Sequence, residues 1–176
     1  VRHIARDQWT GMENAPSTQL LSGHMNSKGI GIGVILFNDK WGNTGRAGVK
    51  LTYAYHLKIN SETNLGIGLT GVAHQFSMEQ SDYHYYDKND PVLTGEKVSV
   101  FMPNADAGLF LYNPSYSAGI SVEQLFGVNA KIALNESDLN RMKQHFSLFG
   151  TYHANVNDDF VLSPALLVRY TATDAV

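Results

Sequence analysis

Val49-Lys50-Leu51-Thr52-Tyr53-Ala54-Tyr55-His56-Leu57-Lys58-Ile59-Asn60 alternates with a period of two. Val49, Leu51, Tyr53, Tyr55, Leu57 and Ile59 fall on one face, and Lys50, Thr52, Ala54, His56, Lys58 and Asn60 on the other. A helix would repeat near 3.6, whereas a strand with one apolar face repeats at two. The same alternation returns in Ser115–Glu123, with Tyr116, Ala118, Ile120 and Val122 on the apolar side. From His145 it places Phe146, Leu148, Gly150, Tyr152, Ala154 and Val156 together, and from Asp159 it does so for Phe160, Leu162, Pro164, Leu166, Val168 and Tyr170. No charge interrupts any of these apolar faces.

Working outward, weaker alternation predicts strands over Arg2–Trp9, Pro16–Met25, Gly29–Asn38, Thr63–Ser77 and Ala105–Asn113, nine strands in all. Four connections are short and begin with Asn: Asn26-Ser27-Lys28, Asn60-Ser61-Glu62, Asn113-Pro114-Ser115 and Asn157-Asp158. Asn tolerates left-handed backbone and closes tight turns. The others are longer: Thr10–Ala15, Asp39–Thr44, Met78–Asn104 and Gln124–Gln144. Short and long alternate, so an up-and-down meander would carry tight turns at one end and long loops at the other. Outer-membrane barrels are built this way.

Composition supports that class. Of 176 residues, 16% are charged, below the roughly 25% usual in soluble domains. Aromatics reach 11% and there are 16 Gly against 5 Pro. The net charge of −3 provides no basic field for nucleic acid. The absence of Cys removes disulfide frameworks and thiolate zinc sites. No run of apolar residues is long enough for a transmembrane helix, but barrel strands are short and leave mean hydropathy near neutral, here −0.20. A soluble barrel would expose a face rich in Lys and Glu, yet the second face is mostly Gly, Ser, Thr, Ala and His. In Thr63–Ser77, Leu65, Ile67 and Leu69 alternate with Asn64, Gly66, Gly68 and Thr70. Small residues suit a crowded lumen. Aromatic residues such as Phe160 and Tyr170 sit near opposite ends of one strand, where amphipathic rings favour the two membrane interfaces.

Several features admit a chemical reading that a structural one outweighs. Gly29, Gly31 and Gly33 form no phosphate loop, because no Lys-Ser/Thr and no helix follow. Pro164 removes a ladder hydrogen bond mid-strand and predicts a bulge or an unpaired position. The histidines His24, His56, His74, His145 and His153 have no G-x-S-x-G elbow beside them. His145 and His153 share a strand face but are roughly 26 Å apart, too far for one metal or one triad. His84 lacks a second ligand at convincing spacing. The expectation is no catalytic, cofactor-binding or metal residue, and no enzyme. In the long loop Met78–Asn104, Tyr83, Tyr85 and Tyr86 form an aromatic cluster suited to partner contact, or equally to closing the barrel mouth. Glu136-Ser137-Asp138 predicts the start of one short helix.

The opening segment reads Arg6-Asp7-Gln8-Trp9-Thr10-Gly11, then Asn14-Ala15-Pro16-Ser17-Thr18-Gln19, followed by Ser22-Gly23-His24. A glycine-rich strand runs into Asn38-Asp39 and Gly42. Next come Tyr53-Ala54-Tyr55, Leu65–Gly71, Gly119-Ile120-Ser121-Val122-Glu123-Gln124-Leu125, and finally His145-Phe146, Gly150-Thr151-Tyr152 and Pro164–Tyr170. In this order the segments resemble the PorP/SprF family of type IX secretion proteins across nearly the whole chain. One departure is Thr151, which separates Gly150 from Tyr152 where the family often has Gly and Tyr adjacent. Family members are also longer, with a signal peptide before this region and further strands after it.

The resemblance implies an outer-membrane component of the type IX secretion and gliding machinery of Bacteroidetes-type bacteria. Such a component assists export or anchoring of specific surface proteins through other secretion components and cargo, and it is not the main pore. It also marks Arg6, Gln8, Trp9, Pro16, Asn38, Asp39 and Gly42 as family-motif positions with an expected structural role. The expected fold is all-β: residues 1–176 form one partial outer-membrane domain, an antiparallel up-and-down transmembrane β-barrel of about nine strands. A start at Val1 directly before a strand and an odd strand count predict a truncated or processed chain and an incomplete barrel. The alternatives are an outer-membrane pore or solute transporter, which predicts a wide lumen with charge rings, and a soluble β-barrel binding protein.

Overall fold

The computed structural model describes residues 1–79, 97–127, 142–157 and 160–171. Its strands are β1 (Arg2–Asp7), β2 (Ser17–Ser27), β3 (Ile30–Trp41), β4 (Thr44–Lys58), β5 (Asn64–Met78), β6 (Val98–Tyr112), β7 (Tyr116–Glu123), β8 (His145–Tyr152), β9 (Ala154–Asn155), β10 (Val161–Leu162) and β11 (Ala165–Thr171). Nine of them form one antiparallel sheet in the order β1-β2-β3-β4-β5-β6-β7-β8-β11, and β9 pairs with β10 in a small ribbon. Every neighbour in the sheet up to β8 is also the neighbour in sequence, the meander that the alternation predicts. The sheet is open, with β1 and β11 as its edges.

Register fixes which residues share a face, because directly opposed residues of an antiparallel pair point to the same side. Ile32, Tyr53, Leu69, Ala107, Val122, Phe146 and Tyr170 stand in one row across β3 to β11. This face is exposed: Leu51 is 59%, Leu69 60% and Ile120 52% accessible. On the opposite face Gly31, Ala54, Gly68, Gly108, Ser121 and Ser147 form a row of small residues. Apolar side chains therefore face the surroundings and small and polar ones face inward, the reverse of a soluble barrel. The sheet curves toward the small-residue face. Lys50 of β4 reaches Asp106 of β6 across β5, and the ring of Phe110 on β6 lies 5.6 Å from that of Phe149 on β8.

Glycine allows aromatic rings to lie flat on this inner face. Phe110, Gly119 and Phe149 share one row. A Cβ at Gly119 would clash with the Phe149 ring and come within 3.0 Å of the Leu109 carbonyl oxygen. Gly119→Ala is therefore expected to destabilise the protein by about 1–3 kcal/mol. Gly71→Ala, where a Cβ meets nothing within 4 Å, should stay within roughly 0.5 kcal/mol of wild type. Urea titration in detergent micelles, followed by tryptophan fluorescence, measures both.

The polarity of the two faces inverts along the strands. At the end carrying the β3–β4 turn, the outer face bears Gln19, Asn38, Lys40, Gln75 and Ser77. The inner face there bears Leu20, Ile35, Phe37, Val72 and Met102, of which Val72 and Met102 are buried. The apolar outer band runs from Leu57 to Val49 along β4, roughly 26 Å of strand, which fits the ~25 Å apolar band of outer-membrane barrels.

Several boundaries differ from the sequence-based expectation. The connection expected over Asp39–Thr44 is the two-residue turn Gly42-Asn43, so short and long connections do not alternate there. Gly42 has φ +56, as the first turn residue of a type II′ hairpin requires. β6 starts at Val98 rather than Ala105, because the apolar residues Val98, Val100 and Met102 alternate on the inner face there. The strand expected from His145 to Val156 breaks at His153, and that from Asp159 to Tyr170 breaks at Ser163-Pro164. Pro164 lacks an N–H, and its carbonyl accepts from Tyr152 N–H at 3.1 Å.

Candidate functional site

The inner face near the apolar cluster carries the charged groups. Three consecutive inner rows across β3, β4, β5 and β6 read Asp39-Arg46-Phe76-Val100, Phe37-Gly48-His74-Met102 and Ile35-Lys50-Val72-Asn104. Arg46 Nη2 lies 3.5 Å from Asp39 Oδ2, and its guanidinium sits 5.2 Å from the centroid of the Phe37 ring. Lys50 Nζ donates to Asp106 Oδ2 at 3.1 Å, with side-chain exposures of 32% and 16%. In the adjoining row Thr52 and Thr70 hydroxyls are 2.9 Å apart.

Asp106 does a second task. Its Oδ1 accepts the Gln124 N–H at 3.0 Å, where the chain leaves β7 with φ +61 at Gln124. Asn104 Oδ1 accepts the N–H of Phe126 at 3.2 Å, and the Ala105 carbonyl accepts that of Leu125 at 2.9 Å. One carboxylate and one amide thus hold the segment after β7 against the inner face, and the carboxylate also closes the ion pair with β4. A cavity of about 420 Å³ extends from Thr18 and Leu20 of β2 to Glu123 and Gln124. His74, 4% exposed, lines it, and among the described residues both its ring nitrogens are without a hydrogen-bond partner, as is Arg46 Nε. A second cavity of about 440 Å³ lies over the small-residue row, between Lys50 and Asp106 on one side and His56, Phe110 and Phe149 on the other. The Tyr112 hydroxyl and His56 Nδ1 are 3.3 Å apart there. The inner face is thus crossed by an ion pair and an aromatic row.

His145 and His153 have hydrogen-bond partners of their own. His145 Nδ1 shares a 2.9 Å hydrogen bond with Thr171, and His153 Nδ1 one of 2.9 Å with Ser163.

The motif positions gather at the end of the sheet that carries the β3–β4 turn. Arg6 lies opposite Thr18, and Gln8, with its amide oxygen turned to Arg6, accepts from Nε and Nη2 at 2.9 and 3.0 Å. The Pro16 carbonyl accepts the Gln8 N–H at 2.9 Å, and Trp9 sits in the connection with φ 52. Asn14 Nδ2 donates to Asn43 Oδ1 at 3.3 Å, and Gly42 N–H donates to the Asn14 carbonyl at 3.0 Å. The connection after β1 is thereby bonded to the turn after β3. Asn38 faces outward, whereas Asp39 faces inward to Arg46. The sequence reading did not foresee this clamp or the Lys50–Asp106 pair. Their partners are far apart in the chain, and only register brings them together. Tyr83, Tyr85 and Tyr86, His84, and the helix start at Glu136-Ser137-Asp138 lie outside the described residues.

A family model described as type IX secretion system membrane protein PorP/SprF matches residues 1–176. No curated protein and no solved structure matches the chain.

Proposed function

Because the chain belongs to the PorP/SprF family of type IX secretion system membrane proteins, we propose that it assists export or anchoring of specific surface proteins from the outer membrane through contacts with other secretion and gliding components. It resides in the outer membrane of Bacteroidetes-type bacteria, as its family does. The observation that supports the proposed role is the make-up of the inner face. Lys50–Asp106 and Arg46–Asp39 pair opposite charges there, and Phe110 and Phe149 lie beside them in a row, in place of the ring of like charge expected of a solute pore. Such a wall serves as a platform in the membrane, with the proposed binding surfaces at its ends. Tyr83, Tyr85 and Tyr86 are the proposed partner-contact residues, and Arg6, Gln8, Trp9, Pro16, Asn38, Asp39 and Gly42 the proposed structural frame for that end.

Deletion of the gene in its host tests the reading. The expected result is loss of one class of surface proteins from the cell exterior, with the rest of the outer membrane unchanged. Purified full chain in planar bilayers should give no large steady current. A large ohmic conductance together with normal surface display would replace the export role with a solute pore.

A further inference from the structure

β6 is paired along its whole length with β5, from Val98 to Tyr112, but β7 covers only Ala107–Tyr112 on its other side. The chain then turns away at Gln124 and Gly127, both with positive φ, and the last backbone bond to β6 goes to the Ala105 carbonyl. That bond fixes the direction of the backbone groups. In an antiparallel strand alternate residues point to opposite neighbours, so the odd-numbered residues of this stretch face away from β5. Pro103, which has no N–H to give to β5, agrees with that phase. The N–H groups of Ser99 and Phe101 and the carbonyls of Ser99, Phe101 and Pro103 therefore point to an edge with no partner among the described residues.

We propose that this edge, Val98–Asn104, receives an extended strand of a second polypeptide by addition to the sheet. The outer face around it bears Gln75 and Ser77, so the edge stands beyond the apolar band, in water, where an incoming chain can reach it. Soluble edges are ordinarily guarded by charge, yet Val98-Ser99-Val100-Phe101-Met102-Pro103-Asn104 contains none and is β-branched at two inner positions. The exposed Phe101, 65% accessible on the outer side, provides an apolar neighbour for the added strand. The occupant is thus an uncharged segment with alternating apolar residues, recognised through its backbone. This follows from the strand edge alone and does not depend on the export role.

The test uses the full chain in detergent micelles and a short peptide of alternating Thr and Val, beside the same peptide N-methylated at every second residue. Amide hydrogen exchange at Ser99 and Phe101 should slow about tenfold or more with the first peptide and not with the second. Phe101→Pro removes one free N–H while leaving the β5 ladder intact, and it should weaken peptide binding about tenfold. Phe101→Ala should keep most of it, and Ser99→Pro provides a second backbone variant should Phe101→Pro fail to fold. Equal protection by the methylated peptide, no protection by either, or full protection of both amides before any peptide is added would overturn the proposal. The last result would mean that another part of this chain already fills the edge.

Discussion

Asp106→Ala should lower the unfolding free energy by about 2–4 kcal/mol, because it leaves the Lys50 ammonium, two-thirds buried, without its counter-charge. It also strips the Gln124 N–H of its acceptor, so exchange at that amide should accelerate. Two further variants separate these effects. Asp106→Asn keeps an oxygen for Gln124 and removes only the charge, so its amide exchange should stay near wild type while stability falls. Lys50→Met combined with Asp106→Ala deletes both charges and keeps an apolar stem, and it should be more stable than Asp106→Ala alone. Strict additivity of the two single changes in urea titrations would show that the ion pair contributes no coupling, contrary to its 3.1 Å geometry.

Leu69→Arg should cost about 2–4 kcal/mol, while Gln75→Arg, on the same outer face six residues along β5, should cost less than about 1 kcal/mol. Leu69 sits in the middle of the exposed apolar band between Tyr53 and Ala107, so a guanidinium there would be placed in hydrocarbon. Gln75 lies beyond the inversion of polarity, opposite Ala47 and Phe101. Folding into lipid vesicles of defined composition measures both. A wall whose outer face met water would accept Arg at both sites equally, so the difference between the two variants tests the membrane orientation of the whole sheet.

The fold was legible wherever one face stayed apolar. Val49–Asn60 lies within β4 apart from its last two residues, and Ser115–Glu123 is β7 with one extra residue. The reading stopped short where polarity inverts. Thr44–Gly48 contains two glycines and Arg46, and Val98–Asn104 places Val98, Val100 and Met102 on the opposite face from Leu109 and Leu111, so neither continued the pattern. The Gly42-Asn43 dipeptide between two extended segments was a usable hairpin signal that the longer-loop reading passed over. Pro164 was expected to mark a bulge or an unpaired position within one strand, and the strand is instead interrupted there, between β10 and β11. The inner site was less legible. Lys50 and Asp106 are 56 positions apart, and nothing in either neighbourhood marks them as partners before register is known.

The reversal of polarity along β3 to β6 acts as a depth gauge. Sinking the molecule by two residues would drown Asn38 and Gln75 in oil, and raising it by two would strand Leu36 and Val49 in the aqueous phase, each at a free-energy cost. The barrel wall thus has one stable draught. The crown formed by the ends of β3 to β6 stands at a set height above the lipid, roughly 15 Å of strand. Whatever docks on that crown meets it at a predetermined level, whatever the movements of the surrounding bilayer.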